Sequence, residues 1–94
     1  MTEYEGVLVV DPQLDEEGVN RIRGLVEKAI TDGNGEVGEW ERWGRRKLAY
    51  KIKGKIEATY ILLTFKGGEE IISELRKACG LAEEVLRSMF LRKS

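Results

Sequence analysis

Residues 42–65 read RWGRRKLAYKIKGKIEATYILLTF, and this stretch decides the fold because it predicts a β-hairpin. Apolar side chains recur at every second position from residue 48 to residue 52, which is the period of a strand. Gly54 marks a turn. Residues 56–65 are apolar on both faces, as expected for a strand that lies inside a sheet.

The first strand of this hairpin, residues 36–53, is interrupted by Gly44. A glycine inside a strand pattern indicates a bulge or a bend, and Trp40 and Trp43 are expected to pack close to it. Tyr50 alternates with Leu48 and Ile52 and should therefore point to the same face of the strand. We therefore expect Tyr50 in the core, with stacking on an exposed nucleic-acid base as the alternative.

The elements outside the hairpin follow from hydrophobic period. Residues 4–10 and residues 85–91 are short apolar runs that predict two further strands. Apolar residues recur at helical spacing over residues 15–32 and again over residues 69–79, which predicts two amphipathic helices. The chain thus alternates strand, helix, strand, strand, helix, strand.

Local signals mark where these helices begin and end. Asp15 is a candidate N-cap of the first helix, because its carboxylate can accept from the free amides of the first turn. The sequence Gly33-Asn34-Gly35 is expected to end that helix, and Gly80 is expected to end the second one. Gly24 lies inside the first helix, where glycine costs about 1 kcal/mol relative to alanine.

This element order is a split βαβ pattern, typical of an α+β fold in which two helices cover one face of a four-stranded antiparallel sheet. The other face of the sheet is then open. Alternate residues of a strand point to opposite faces, so some apolar side chains must lie on the open face. They form a candidate partner-binding surface: Tyr60, Leu62, Met89 and Leu91.

The formal net charge is only −1, but the two parts of the chain differ strongly. Residues 1–41 hold eleven acidic and three basic side chains, whereas residues 42–94 hold thirteen basic and six acidic ones. A polyanion responds to the local potential within roughly 8 Å at physiological salt. The hairpin is therefore the candidate nucleic-acid contact, through Arg42, Arg45, Arg46, Lys47, Lys51, Lys53 and Lys55.

Length and composition narrow the remaining classes. The 94 residues predict one domain, residues 1–94, with one modest core. The chain has no apolar run of about 20 residues and no signal-peptide pattern at its start, so we expect a cytoplasmic protein. It has no histidine, and its one cysteine, Cys79, is expected to be a core residue. No metal ion, cofactor or enzymatic activity is expected.

Several segments together resemble one known family. They are Tyr4-Glu5, Pro12, Leu14-Asp15, Gly44-Arg45-Arg46-Lys47-Leu48-Ala49-Tyr50 followed by Ile52, Tyr60, and Val85-Leu86-Arg87-Ser88-Met89. This set resembles the bacterial small-subunit ribosomal protein number six family. The resemblance implies a ferredoxin-like fold that binds the central domain of small-subunit ribosomal RNA together with small-subunit ribosomal protein eighteen. Arg87 and Arg92 are further candidate RNA contacts, with the role of solvated strand residues as the alternative.

Other interpretations remain open. Lysines along an edge strand also prevent sheet-to-sheet aggregation, which needs no RNA. An RNA-recognition module that stacks bases has the same element order, but residues 54–60 lack its aromatic-rich pattern. A ferredoxin-like dimerisation or ligand-binding regulatory domain is the main alternative from another class, since an open apolar sheet can pair with itself.

Overall fold

A computed structural model describes residues 1–93. Its elements in chain order are β1 (Thr2–Val10), α1 (Glu16–Asp32), β2 (Glu36–Ile52), β3 (Lys55–Gly67), α2 (Glu70–Leu81) and β4 (Val85–Arg92). The four strands form one sheet in the order β2-β3-β1-β4, and all neighbours are antiparallel. The predicted fold class, a ferredoxin-like βαββαβ arrangement, is confirmed.

The main core lies between the sheet and its two helices. The rings of Tyr4 and Phe65, on neighbouring strands, stack with their centroids 5.3 Å apart. Leu8 of β1, Ile22 of α1 and Leu75 of α2 are at most 1% exposed and belong to the same cluster. No polar or charged side chain of residues 1–93 is buried, so apolar packing alone fills this layer.

A second and smaller cluster lies on the face of the sheet that the helices leave open. Its buried members are Val9, Ala58 and Leu86. Leu48, Ile52 and Tyr60 pack against them and cover them. Residues 48–52, which we call the hairpin end, therefore fold back over one part of the open face. The remainder of that face stays exposed.

The hairpin bends because its two strands differ in length. Strand β2 has 17 residues and β3 has 13, and their register shifts at three places. Extra residues on one strand increase its twist and bend it. Gly44 lies at the second shift with φ of 92°, which confirms the predicted bulge. Lys53 and Gly54 have φ of 50° and 80°, the positive pair of a two-residue type I′ turn.

The helix ends agree with the sequence at α1 and differ at α2. Asp15 Oδ1 accepts a 2.8 Å hydrogen bond from the Gly18 amide, so the predicted N-cap is confirmed. Asn34, with φ of 61°, lies just beyond the end of α1. The prediction that Gly80 ends α2 was wrong, because Gly80 has no left-handed φ and the helix continues to Leu81. No helix within residues 1–93 is long and apolar enough to cross a membrane.

Replacement of Gly24 by alanine should stabilise the protein. Gly24 is exposed within α1, and a Cβ atom there would meet nothing within 4 Å. Alanine should therefore raise the free energy of unfolding by about 1 kcal/mol, which corresponds to roughly 4–8 °C in Tm for a domain of this size. Urea and thermal denaturation of Gly24→Ala would measure both quantities.

Gly18→Ala is the matched control in the same helix. A Cβ atom at Gly18 would lie 2.5 Å from Leu14 Cδ1, so Leu14 would have to move and the gain should shrink or become a loss. A Gly24→Ala variant that is no more stable than the original protein would contradict this prediction.

Candidate nucleic-acid interface

Three of the seven hairpin cations are held by other groups of the same chain. The Arg42 guanidinium donates to Glu16 in the first turn of α1. Lys55 Nζ lies 3.5 Å from Asp11 Oδ2, just after β1. These two cations thus lie beside carboxylates from the acidic part of the chain, which lowers the positive potential that each presents outward.

Arg45 is also occupied, although less completely. Its Nη2 donates a 3.1 Å hydrogen bond to the Pro12 carbonyl, and its Nη1 lies 3.7 Å from Glu57 Oε2. Both contacts are exposed, so we expect each to contribute little to stability. They do orient the guanidinium towards the loop between β1 and α1.

The other four hairpin cations have no hydrogen-bond or ion-pair partner for their side chains among residues 1–93. All four are exposed: Arg46, Lys47, Lys51 and Lys53. Arg46, Lys47 and Lys51 lie on β2 beyond the Gly44 bulge, and Lys53 lies in the turn itself. Arg46 is the cross-strand partner of Ala58 and Lys47 that of Glu57, so the two adjacent cations face opposite sides of the hairpin. Both faces of the hairpin therefore carry an exposed cation that has no ion-pair partner among residues 1–93.

The pKa of Glu16 agrees with the assignment of Arg42 to the cations that have partners. The hydrogen bond from Arg42, followed by the Coulomb attraction of its charge, lowers the pKa of the Glu16 carboxyl below its usual value. Glu16 is the first residue of α1, where a negative charge also suits the helix dipole. Arg42 thus fastens β2 to α1.

The two cations of β4 are placed differently from each other. Arg87 is paired with Val9 across the strands, on the open face, and its Nη1 donates a 3.0 Å hydrogen bond to the Tyr50 hydroxyl. Arg92 is paired with Tyr4, on the face that carries the helices. Five residues of strand separate these two arginines, or about 16 Å. The structure brings Arg87 to the hairpin and leaves Arg92 at the other end of the sheet.

The aromatic residues only partly follow the sequence prediction. Trp40 is partly buried against the core, under the Arg23 guanidinium at 5.6 Å from the ring centroid, as expected for a packing residue. Trp43 is 46% exposed at the bulge, so that prediction was wrong for it. Tyr50 is 65% exposed and not in the core. The register shift between residues 47 and 52 breaks the simple alternation on which its core assignment depended.

The predicted partner-binding residues divide between two environments. Tyr60 packs into the small cluster beneath the hairpin end. Leu62 is partly exposed, whereas Met89 and Leu91 are 39% and 66% exposed. Val7 is paired with both Leu62 and Met89 and completes an apolar area on the uncovered part of the sheet. We call Val7, Leu62, Met89 and Leu91 the apolar patch.

Two carboxylates border the apolar patch. Glu5 is paired with Leu91 on the neighbouring strand, and Glu41 is paired with Leu62. Neither carboxylate has an ion-pair partner among residues 1–93. The apolar patch therefore has an acidic border, whereas the hairpin end beside Arg46 and Arg87 is positive.

A hollow with a volume of about 920 Å³ lies beside the turn of the hairpin. Its charged lining consists of three carboxylates and three cations, namely Asp11, Glu83, Glu84, Arg21, Lys53 and Lys55. These charges are balanced and partly paired with each other. No group of three potential metal-ligating side chains occurs within residues 1–93. As expected, Cys79 is buried in the main core, where burial raises the pKa of its thiol to about 11.

Sequence reasoning missed the groups that neutralise or orient the cations. Glu16 and Pro12 lie 26 and 33 residues from the arginines that contact them, and Tyr50 lies 37 residues from Arg87. None of these pairs has a local spacing signal. Glu57 alone could have been found, because the hairpin register places it opposite Lys47.

Comparison with known proteins agrees with this geometry. The profile of the family described as ribosomal protein S6 matches residues 3–92. The small ribosomal subunit protein bS6 of Bifidobacterium longum is 37% identical over 90 residues, which span 96% of this chain and 93% of the relative. The corresponding protein of Clostridium acetobutylicum is 34% identical over 91 residues, spanning 97% and 96%.

A solved structure supports the same relationship. The crystal structure of 30S ribosomal protein S6 from Thermotoga maritima matches with a TM-score of 0.86 and 28% sequence identity. The match covers 98% of this chain and 87% of that one. The resemblance stated from the sequence is thus confirmed, and the chain belongs to the ribosomal protein S6 family of the small ribosomal subunit.

Proposed function

We propose that this ribosomal protein binds the central domain of small-subunit ribosomal RNA through its hairpin, and binds small-subunit ribosomal protein eighteen through the open face of its sheet. It acts as a structural component of the ribosome in the cytoplasm, with residues 1–94 as one RNA-binding domain. Its family consists of ribosomal structural proteins, so we assign it no reaction. The proposal needs no cofactor and no membrane.

One observation carries the RNA part of the proposal. Arg46, Lys47, Lys51 and Lys53 are exposed and have no partner side chain within residues 1–93. A phosphate that approaches these cations need not displace an internal carboxylate. Arginine can clasp two phosphate oxygens with its planar fork, and lysine contributes a mobile point charge. We expect Arg42, Arg45 and Lys55 to contribute less because each already has a partner.

The apolar patch is the observation that supports binding of a protein partner. An exposed apolar area with a polar border is typical of a protein-docking surface. The acidic border formed by Glu5 and Glu41 favours a partner that presents cations around an apolar centre.

The same patch is the specific observation that favours the alternative, a dimerisation domain. In a symmetric dimer that uses this face, however, the Glu5 and Glu41 carboxylates of both copies would come together. That like-charge repulsion opposes self-association through the patch. The free cations of the hairpin also have no role in such a dimer.

The double variant Arg46→Ala/Lys47→Ala should bind a central-domain RNA fragment more weakly than the original protein. Loss of two phosphate contacts should make the dependence of log affinity on log salt shallower by roughly 1.4 to 1.8. Filter binding or fluorescence anisotropy at several salt concentrations would measure this slope, with protein eighteen at saturation in every sample. Tm should change little, because both side chains are exposed and unpaired.

Arg76→Ala/Lys77→Ala is the matched control. It removes the same Arg-Lys pair of charges from exposed positions of α2. This control should leave the salt slope close to that of the original protein. Equal slopes for the two double variants would count against the hairpin as the RNA contact.

Leu91→Asp should weaken the binding of protein eighteen. Burial of a leucine side chain contributes roughly 1.5–3 kcal/mol, so its replacement by a charged group should lower affinity about tenfold or more. Isothermal titration calorimetry with purified protein eighteen would measure the loss. Leu91 is 66% exposed, and the free protein should therefore remain folded.

Leu81→Asp provides the control at an 80% exposed leucine at the end of α2. Its affinity for protein eighteen should match that of the original protein. If Leu91→Asp binds as tightly as Leu81→Asp, the partner does not use the apolar patch.

A further inference from the structure

Arg87 is held in a different way from the paired arginines of the hairpin. Arg42 lies against the carboxylate of Glu16, and Arg45 lies near that of Glu57. The contact of Arg87 is instead the neutral hydroxyl of Tyr50, at 3.0 Å from Nη1. A hydroxyl can fix the orientation of a guanidinium without cancelling its positive charge. Arg87 is therefore oriented and still fully cationic.

The hydroxyl is in place because the hairpin end is anchored. Leu48 and Ile52, on either side of Tyr50, pack against the small cluster that includes Val9. Val9 is the cross-strand partner of Arg87. Apolar packing on both sides thus brings residue 50 of the β2 edge to the β4 edge. The Tyr50 ring itself stays 65% exposed, so it contributes little to the core.

The Tyr50 bond uses the one nitrogen that leaves the side-on fork of Arg87 intact. A guanidinium has five N–H donors, and the fork that clasps two phosphate oxygens side-on consists of Nε and Nη2. The hydrogen bond to Tyr50 is made by Nη1. Within residues 1–93, Nε and Nη2 have no partner, and the Arg87 side chain is exposed.

We propose that Tyr50 is a positioning residue whose hydroxyl orients Arg87 so that the Nε–Nη2 fork binds an RNA phosphate bidentately. This inference depends on the proposed function and adds a contact on β4 to those of the hairpin. Arg46 lies on the same face as Arg87, since their cross-strand partners Ala58 and Val9 belong to one cluster. The bound RNA strand then follows the open face from the hairpin to β4.

The test is a double-mutant cycle with Tyr50→Phe, Arg87→Ala and the double variant. Phenylalanine keeps the ring, so any stacking of the ring on a base is the same in all comparisons. Affinity for the central-domain RNA fragment would be measured at several salt concentrations with protein eighteen at saturation. Tm of each variant would be measured in parallel.

Tyr50→Phe should weaken RNA binding about three- to tenfold, a coupling in the range found for residues in contact. The same change in the Arg87→Ala background should have no further effect. Arg87→Ala should also make the salt slope shallower by about 0.7 to 0.9, which is the loss of one phosphate contact. Arg87→Lys should keep that slope and yet lose the response to Tyr50→Phe, because lysine lacks the fork.

Two results would overturn the inference while leaving the proposed function in place. One is a Tyr50→Phe variant that binds RNA as tightly as the original protein, although Arg46→Ala/Lys47→Ala binds weakly. The other is a Tyr50→Phe effect of equal size with and without Arg87, since the hydroxyl then does not act through Arg87. If none of the hairpin or β4 variants weakens RNA binding, the proposed function itself is wrong.

Discussion

Burial of Val9 and Ala58 beneath the hairpin end is the constraint on which the rest of the structure depends. These side chains lie on the face that no helix covers, yet they are only 2% and 0% exposed. Burial of a valine contributes roughly 1.5–3 kcal/mol, and a straight hairpin would give up part of this contribution. The register shifts of β2 allow the bend that brings Leu48 and Ile52 over the two residues. The bend also places the Tyr50 hydroxyl 3.0 Å from Arg87 Nη1.

The sorting of charges follows from the same geometry. The bend and the bulge bring some hairpin cations within reach of carboxylates that precede residue 42, as with Glu16 and Asp11. Arg46, Lys47, Lys51 and Lys53 are exposed and form no ion pair among residues 1–93, so their charges remain directed at the solvent. A chain with a net charge of −1 can therefore present a strongly positive surface. The net charge gives no indication of this surface, whereas the pairing of individual side chains does.

The sequence predicted the features that depend on local chemistry. The Asp15 cap, the bulge at Gly44 and the turn at Gly54 are each set by one residue type at one backbone conformation, and each was confirmed. Gly80 shows the limit of this approach, because a glycine without a left-handed φ is an ordinary helix residue. The side-chain position of Tyr50 could not be predicted, because strand parity fails where the register shifts.

The sequence could not predict which cations of the candidate site contact other groups of the same chain. The hydrogen-bond partners of Arg42, Arg45 and Arg87 lie at least 26 residues away in sequence and meet them only through the fold. Nothing in the sequence distinguished the hairpin cations that have partners from the other hairpin cations. The structure separates them into three that have partners and four that have none within residues 1–93.

The open face combines two surfaces of opposite character that remain electrostatically distinct. Glu5 borders the apolar patch, and Val9 lies under the hairpin end, four residues further along β1. Four residues of strand span about 13 Å, which exceeds the Debye length of roughly 8 Å at physiological salt. A phosphate near Arg87 is therefore largely screened from the carboxylate of Glu5. Under the proposed function, the same carboxylate would repel RNA from the apolar patch at short range, so that RNA and a protein partner would lie side by side on this face.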